Sequence, residues 1–108
     1  MFGISKDDLQ RMNDVNHDDF VLINVLPRKD FNRQHIRTSI NIPVGSNDFL
    51  EQVEKVVADK NRKIVVYCAS FDCDASIKAA ERLEGAGFGE VFDYEGGIQD
   101  WFDNRKSA

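Results

Sequence analysis

The stretch Lys63-Ile64-Val65-Val66-Tyr67-Cys68-Ala69-Ser70-Phe71-Asp72-Cys73-Asp74-Ala75-Ser76 contains a strand, a loop and the start of a helix. Its first five residues are almost uninterruptedly apolar and β-favouring, the pattern of a strand buried on both faces. A polar interval follows, and then Ile77, Ala80, Leu83 and Ala86 recur at helical spacing until Gly85 and Gly87 stop the helix. Further on, Val91-Phe92-Asp93-Tyr94 reads as a strand, Gly96-Gly97 as a turn, and Ile98 to Phe102 as a closing helix. Working back from Lys63, Ser46 opens a helix whose apolar face is Phe49, Leu50, Val53, Val56 and Val57. Before it stand a short strand at Ile40-Asn41-Ile42, a short helix from Pro27 to about His35, and a strand at Phe20-Val21-Leu22-Ile23-Asn24-Val25. Ser5, with Asp8 and then Leu9 and Met12 behind it, has the form of a capped helix start.

Strands separated by helices of this length pair in parallel through right-handed crossovers. The expected fold is therefore α/β, an open central parallel sheet of four or five strands with helices on both faces. In such sheets ligands bind beyond the carboxyl ends of the strands. Cys68, the first residue after Tyr67, lies at that edge.

The 108 residues suit one domain, 1–108, with one core. Nineteen acidic against 14 basic side chains give a formal charge of −5, which argues against nucleic acid or an anionic membrane as partner. Met1-Phe2-Gly3-Ile4-Ser5-Lys6-Asp7-Asp8 has neither the positive nor the apolar region of an export leader, and no run has the length of a membrane span. A cytoplasmic location is expected. In a reducing compartment the two cysteines, Cys68 and Cys73, are more readily reactive or metal-binding than structural.

A compact loop in this position can turn the N–H groups of Ala69, Ser70, Phe71, Asp72 and Cys73 toward Cys68, and the following helix adds its positive end. Both favour a thiolate or persulfide anion. Asp72 and Asp74 oppose it, so the expectation is an accessible thiolate, less acidic than one in a basic loop. The competing reading makes Cys68 a small buried hydrophobe at a strand end. Zinc is disfavoured because Cys-x4-Cys supplies two ligands while His17 and His35 lie in unrelated segments. The loop lacks the Gly and Lys of a phosphate-binding motif, and no Ser-His-Asp triad stands out.

Leu22-Ile23-Asn24-Val25-Leu26-Pro27-Arg28-Lys29-Asp30-Phe31, with His35-Ile36 and Ser39-Ile40-Asn41-Ile42-Pro43, resembles the first signature of the rhodanese-like family. Ile64 to Cys68, Ala79-Ala80 with Leu83, Gly87-Phe88, and Glu95-Gly96-Gly97-Ile98 through Trp101 resemble the second. The resemblance implies that Cys68 takes a sulfane sulfur from a donor, becomes a persulfide and passes the sulfur to a nucleophilic acceptor, with no cofactor and no metal. Covalent catalysis of this kind splits one transfer into two displacements. The chain departs from the family pattern at Asn24, Leu26, Gln34 and Thr38, where Asp, Arg, Gly and Gly are common. It also carries about two extra loop residues and lacks the loop's usual Gly and Arg. With no Lys or Arg from Cys68 to Ser76, dianionic thiosulfate is expected to be a poor donor.

Cys73 has two open readings, a resolving thiol that attacks a persulfide or sulfenate on Cys68, and a packing thiol at the helix start. Trp101 is expected to anchor the last helix, His35 to fix the loop before the third strand, and Gly96-Gly97 to allow close backbone approach. Arg28, Arg33 and Arg37 are expected to be solvated charges. The leading functional expectation is a single-domain sulfurtransferase acting between a small or protein persulfide donor and a thiol or protein acceptor. The alternatives are a non-catalytic or redox-regulatory interaction module and, less favoured, a phosphatase or arsenate reductase. An oxyanion substrate for the latter would want an arginine in the loop.

Overall fold

The computed structural model describes residues 1–103. Its elements are β1 (Phe2–Gly3), α1 (Lys6–Val15), β2 (Phe20–Asn24), α2 (Arg28–Arg33), β3 (Ile40–Asn41), α3 (Phe49–Val56), β4 (Lys63–Tyr67), α4 (Ala75–Gly85), β5 (Val91–Tyr94) and α5 (Gly97–Trp101). The five strands form one wholly parallel sheet in the order β1-β5-β4-β2-β3. The expected parallel α/β sheet is present, and its fifth strand is β1. Two residues pairing with Phe92 and Asp93 are too few to leave a readable alternation in the sequence.

β4 lies in the middle, paired with β2 from Phe20↔Lys63 to Asn24↔Tyr67 and with β5 from Ile64↔Val91 to Tyr67↔Tyr94. Side chains of a strand alternate between faces. Ile64, Val66 and Cys68 therefore point to one side, where Phe49 and Val53 of α3 and Ala79, Ala80 and Leu83 of α4 close over them. Val65 and Tyr67 point to the other, against Leu9 and Met12 of α1 and Ile98 and Trp101 of α5. A fully buried side chain such as Phe49 contributes about 1.5–3 kcal/mol through the apolar surface it removes from water. Cys68 thus extends the inward row of β4 toward the first turn of α4.

Ser5 caps α1 as expected, accepting from the Asp8 N–H at 3.2 Å. α3 starts later than the sequence pattern indicates. Ser46 instead closes a turn through its carbonyl to the Phe49 N–H, and Asp48 takes the capping position. The buried stripe of this short helix centres on Val53, which leaves Val56 at its edge and exposed. α2 ends at Arg33 because Gln34 is already extended. Thr38 adopts φ +74°, the left-handed region, which accounts for glycine being common at its counterpart in the family.

The strand order reverses between β2 and β4, so the ligand crevice of an open α/β sheet falls beyond Asn24 and Tyr67. Tyr67 braces this edge from below the sheet. Its hydroxyl accepts the Ile36 N–H at 3.0 Å and lies 2.8 Å from Ser39 Oγ. Asn24 Oδ1 accepts the Leu26 N–H at 2.9 Å, and Asn41 Nδ2 donates to the carbonyls of Asn24 and Leu26, which fixes the chain leaving β2. Among the described residues no helix is long and apolar enough to cross a membrane.

Candidate active site

The loop from Cys68 to Asp74 is held at both ends. At its base, the Cys68 carbonyl accepts the Ile98 N–H at 3.0 Å and the Ala69 carbonyl accepts the Gln99 N–H at 2.9 Å. This docking of α5 requires glycine at position 97, where φ is +61° and a Cβ would sit 2.3 Å from the Cys68 carbonyl oxygen. A Cβ on Gly96 would meet the Asp100 side chain at 2.5 Å. At its far end the loop folds into a turn, with the Cys73 N–H donating to the Ser70 carbonyl at 3.0 Å and the Asp72 N–H to Ser70 Oγ at 3.3 Å. The expected close approach at Gly96-Gly97 is met.

Cys68 is wholly buried. Its Sγ faces the Cys73 carbonyl at 3.4 Å and Ser76 Oγ at 3.5 Å. Burial pushes the Cys68 thiol above its ordinary range, and contact with Cys73 pushes the same way. Hydrogen bonds from the Ser76 side chain and N–H only partly offset this. Burial and these contacts favour the neutral thiol and keep Cys68 inaccessible, in contrast to the accessible thiolate expected from the loop sequence. The first reason is burial, and the second is where the N–H groups point. Those of Asp72 and Cys73 are taken by Ser70, and that of Ala69 is directed at the sulfur of Cys73. Ser76, on the first turn of α4, is the backbone donor that faces Cys68.

Cys73 is half-buried and holds the more acidic thiol of the two. Burial raises it, but the Cys68 thiol and the N–H groups of Ala69 and Ala75 lower it further than burial and Asp74 lift it. The carboxylate of Asp74 lies 3.4 Å from Lys78 Nζ, an exposed pair that does little to the loop's charge. The sequence alone does not place Ser76 at Cys68 Sγ, nor Asp93 buried in β5 beside Ser76. The Ser76 hydroxyl faces Asp93, yet burial dominates and raises the Asp93 carboxyl, with Glu95 adding to the rise. A buried polar residue in an otherwise apolar strand was the available signal.

Two clefts flank the loop. One, of about 430 Å³ at the strand-order reversal, is walled by Leu26, Asp30, Arg33, Gln34, Ala69 and Gln99. The other, of about 260 Å³, lies between Phe71, Ser5, Lys6, Asp93 and Glu95. Arg33 therefore stands beside the loop in space although far from it in sequence. Arg37 is not in either cleft and instead pairs with Asp14 at 3.1 Å. His35 stacks on Phe31 at 4.0 Å with its Nδ1 2.8 Å from the Phe31 carbonyl, which suits the structural role expected of it. Trp101 meets Tyr94 edge-on at 6.1 Å and packs into the α1 side of the core, as expected of an anchor.

Residues 5–104 match the rhodanese-like domain family. The chain belongs to that family. The sequence is 35% identical over 98 residues to the adenylyltransferase and sulfurtransferase UBA4 of Vanderwaltozyma polyspora, a match covering 83% of this chain and 22% of that protein. The chain thus spans about a fifth of that curated relative's length. The BH2092 protein of Bacillus halodurans superposes with a TM-score of 0.81 at 26% identity, covering 98% of this chain and 72% of that one. A rhodanese with anions from E. coli superposes at 0.63 with 30% identity, covering 74% and 88%. The two superpositions show that this rhodanese-like chain shares its fold with solved structures.

Replacing Gly97 with Ala in this domain places a Cβ against the Cys68 carbonyl and forces an L-residue into a left-handed backbone. A stability loss of about 3 kcal/mol or more in urea denaturation is expected. Asp93→Asn should act in the opposite sense. A raised folded-state pKa means that the fold binds a proton more tightly than the unfolded chain, so wild type loses stability as pH rises from the unfolded value of about 4 through the folded one. The variant should be more stable than wild type at pH 7, with the difference shrinking toward pH 4, in urea titrations at both pH values.

Proposed function

We infer that the domain is a sulfurtransferase carrying sulfane sulfur as a persulfide on Cys68. The observation supporting this most directly is the placement of Cys68 Sγ at the carboxyl end of the central strand, facing both the N–H and the hydroxyl of Ser76 on the first turn of α4. Backbone donors and the helix's positive end would hold the terminal sulfur anion of a persulfide there without a metal or cofactor. Membership of the rhodanese-like family and the 35% identity to a sulfurtransferase support the same reaction class.

The chemistry runs in two displacements. Cys68 gives up its thiol proton and attacks the outer sulfur of a donor persulfide, a sulfur–sulfur bond forms at Cys68 as the donor's own sulfur–sulfur bond breaks, and the donor leaves as a thiolate that takes up that proton. An acceptor thiolate then attacks the outer sulfur on Cys68, takes it as its own persulfide and returns Cys68 to thiolate. Because Cys68 is buried, the donor reaches it only when the segment from Ser70 to Cys73 moves. The docked base at Cys68–Ala69 stays fixed by α5.

The donor follows from charge. Asp72 and Asp74 lie in the loop, and the adjacent cleft offers Arg33 together with Asp30. A wall bearing both signs suits a zwitterionic or protein persulfide, whereas thiosulfate would bring two negative charges to it. The same balance disfavours phosphate and arsenate chemistry. A redox-regulatory reading is favoured by one feature, the contact between Cys68 and Cys73.

Sulfur loading tests the proposal. Mass spectrometry of the Cys73→Ser protein after cysteine persulfide treatment should find one added sulfur on the Cys68 peptide. Thiosulfate at the same concentration should load it at least about tenfold more slowly. Absence of an adduct with every donor, or equal loading when Cys68→Ser is combined with Cys73→Ser, would remove Cys68 as the carrier.

A further inference from the structure

We propose that Cys73 converts the Cys68 persulfide into an intramolecular Cys68–Cys73 disulfide, so that the domain releases sulfane sulfur as hydrosulfide as well as handing it on. This rests on the persulfide reading above and adds a reductive outcome to it. Three features of the loop carry it. The two cysteines belong to a single loop whose turn, closed by the Cys73 N–H on the Ser70 carbonyl, folds Cys73 back over Cys68. Cys68 Sγ already lies 3.4 Å from the Cys73 carbonyl, so Cys73 is the first thiol that a persulfide on Cys68 meets. Cys73 is also half-buried where Cys68 is wholly buried, and it receives the N–H groups of Ala69 and Ala75. The neighbouring thiol is therefore better prepared as an attacking thiolate than any thiol that must first enter from solution.

The step balances within the protein. The Cys73 thiolate attacks Cys68 Sγ, a sulfur–sulfur bond forms between the two side chains, and the bond from Cys68 Sγ to the outer sulfur breaks. The outer sulfur, held as the persulfide anion, takes the electron pair of the broken bond and the proton that the Cys73 thiol gave up, and leaves as hydrosulfide. Sulfane sulfur is reduced to sulfide, and the two cysteines are oxidised to cystine by the two electrons transferred. No external oxidant takes part. Return to the dithiol needs a dithiol reductant, which attacks the disulfide and leaves oxidised in its place.

An acceptor thiol and Cys73 compete for the same persulfide. The domain then transfers sulfur when an acceptor is docked against the loop and releases hydrosulfide when none is present. The loop geometry makes Cys73 the default.

The test treats the reduced full chain with one equivalent of cysteine persulfide under anaerobic conditions and without an acceptor. Intact mass, peptide mapping and released hydrosulfide are followed for wild type, Cys73→Ser and Cys73→Ala, with the Cys68→Ser protein giving the background. Wild type should become two hydrogens lighter than the reduced protein, with a Cys68–Cys73 cross-linked peptide and one equivalent of hydrosulfide. Both Cys73 variants should stay one sulfur heavier at Cys68 and release hydrosulfide on the order of tenfold more slowly or less. A wild type that keeps the added sulfur on Cys68 with Cys73 reduced would overturn the disulfide step while leaving the persulfide intact. Hydrosulfide release as fast in the variants as in wild type would overturn it as well. Variants that fold but take up no sulfur would overturn the persulfide reading itself, and the disulfide step with it.

Discussion

Everything at the candidate site depends on one backbone contact, the docking of the α5 N-terminus onto the first two residues of the cysteine loop. The carbonyls of Cys68 and Ala69 accept the N–H groups of Ile98 and Gln99, and Gly97 can approach that closely only because it has no Cβ and tolerates φ +61°. The contact fixes the peptide that leaves β4, and therefore the direction of Cys68 Sγ, before the remainder of the loop is considered. It also uses the two carbonyls at the base, and the turn between Ser70 and Cys73 closes on Ser70 instead. Tyr67 and Tyr94 brace the same edge from the opposite side of the sheet, through hydroxyls that contact Ser39 and Asp100.

Burial and reactivity pull Cys68 in opposite directions. The pleat of β4 sends its side chain into the same apolar face as Ile64 and Val66, where a charged sulfur is costly. Ser76 offsets part of that cost, while the N–H groups of Ala69 and Ala75 serve Cys73. The two thiols therefore divide the work, one buried and inclined to stay neutral at the end of the strand, the other nearer solvent and inclined to ionise.

Much of this fold was readable from sequence. The runs Phe20–Asn24, Lys63–Tyr67 and Val91–Tyr94 are β-favouring and apolar enough to declare themselves, and the crossover logic then dictates a parallel sheet. β1 escaped because two residues carry no period, and the start of α3 was misplaced because Ser46 is as good a turn residue as it is a cap. At the site, the position of Cys68, the close approach at Gly97 and the packing role of Trp101 all follow from local patterns. The directions of the loop N–H groups do not. They depend on which carbonyl or sulfur each meets in three dimensions, and together with burial they raise the Cys68 thiol where the loop sequence led one to expect a thiolate. Arg33 was likewise beyond reach, since only the reversal of strand order brings α2 beside Ala69.

Site-resolved alkylation of the reduced protein with iodoacetamide across a pH series tests the division between the two thiols most directly. Peptide mapping should show Cys73 modified first, with a midpoint below that of an ordinary thiol, and Cys68 protected by burial until higher pH or partial unfolding. Modification of Cys68 ahead of Cys73 at neutral pH would contradict it.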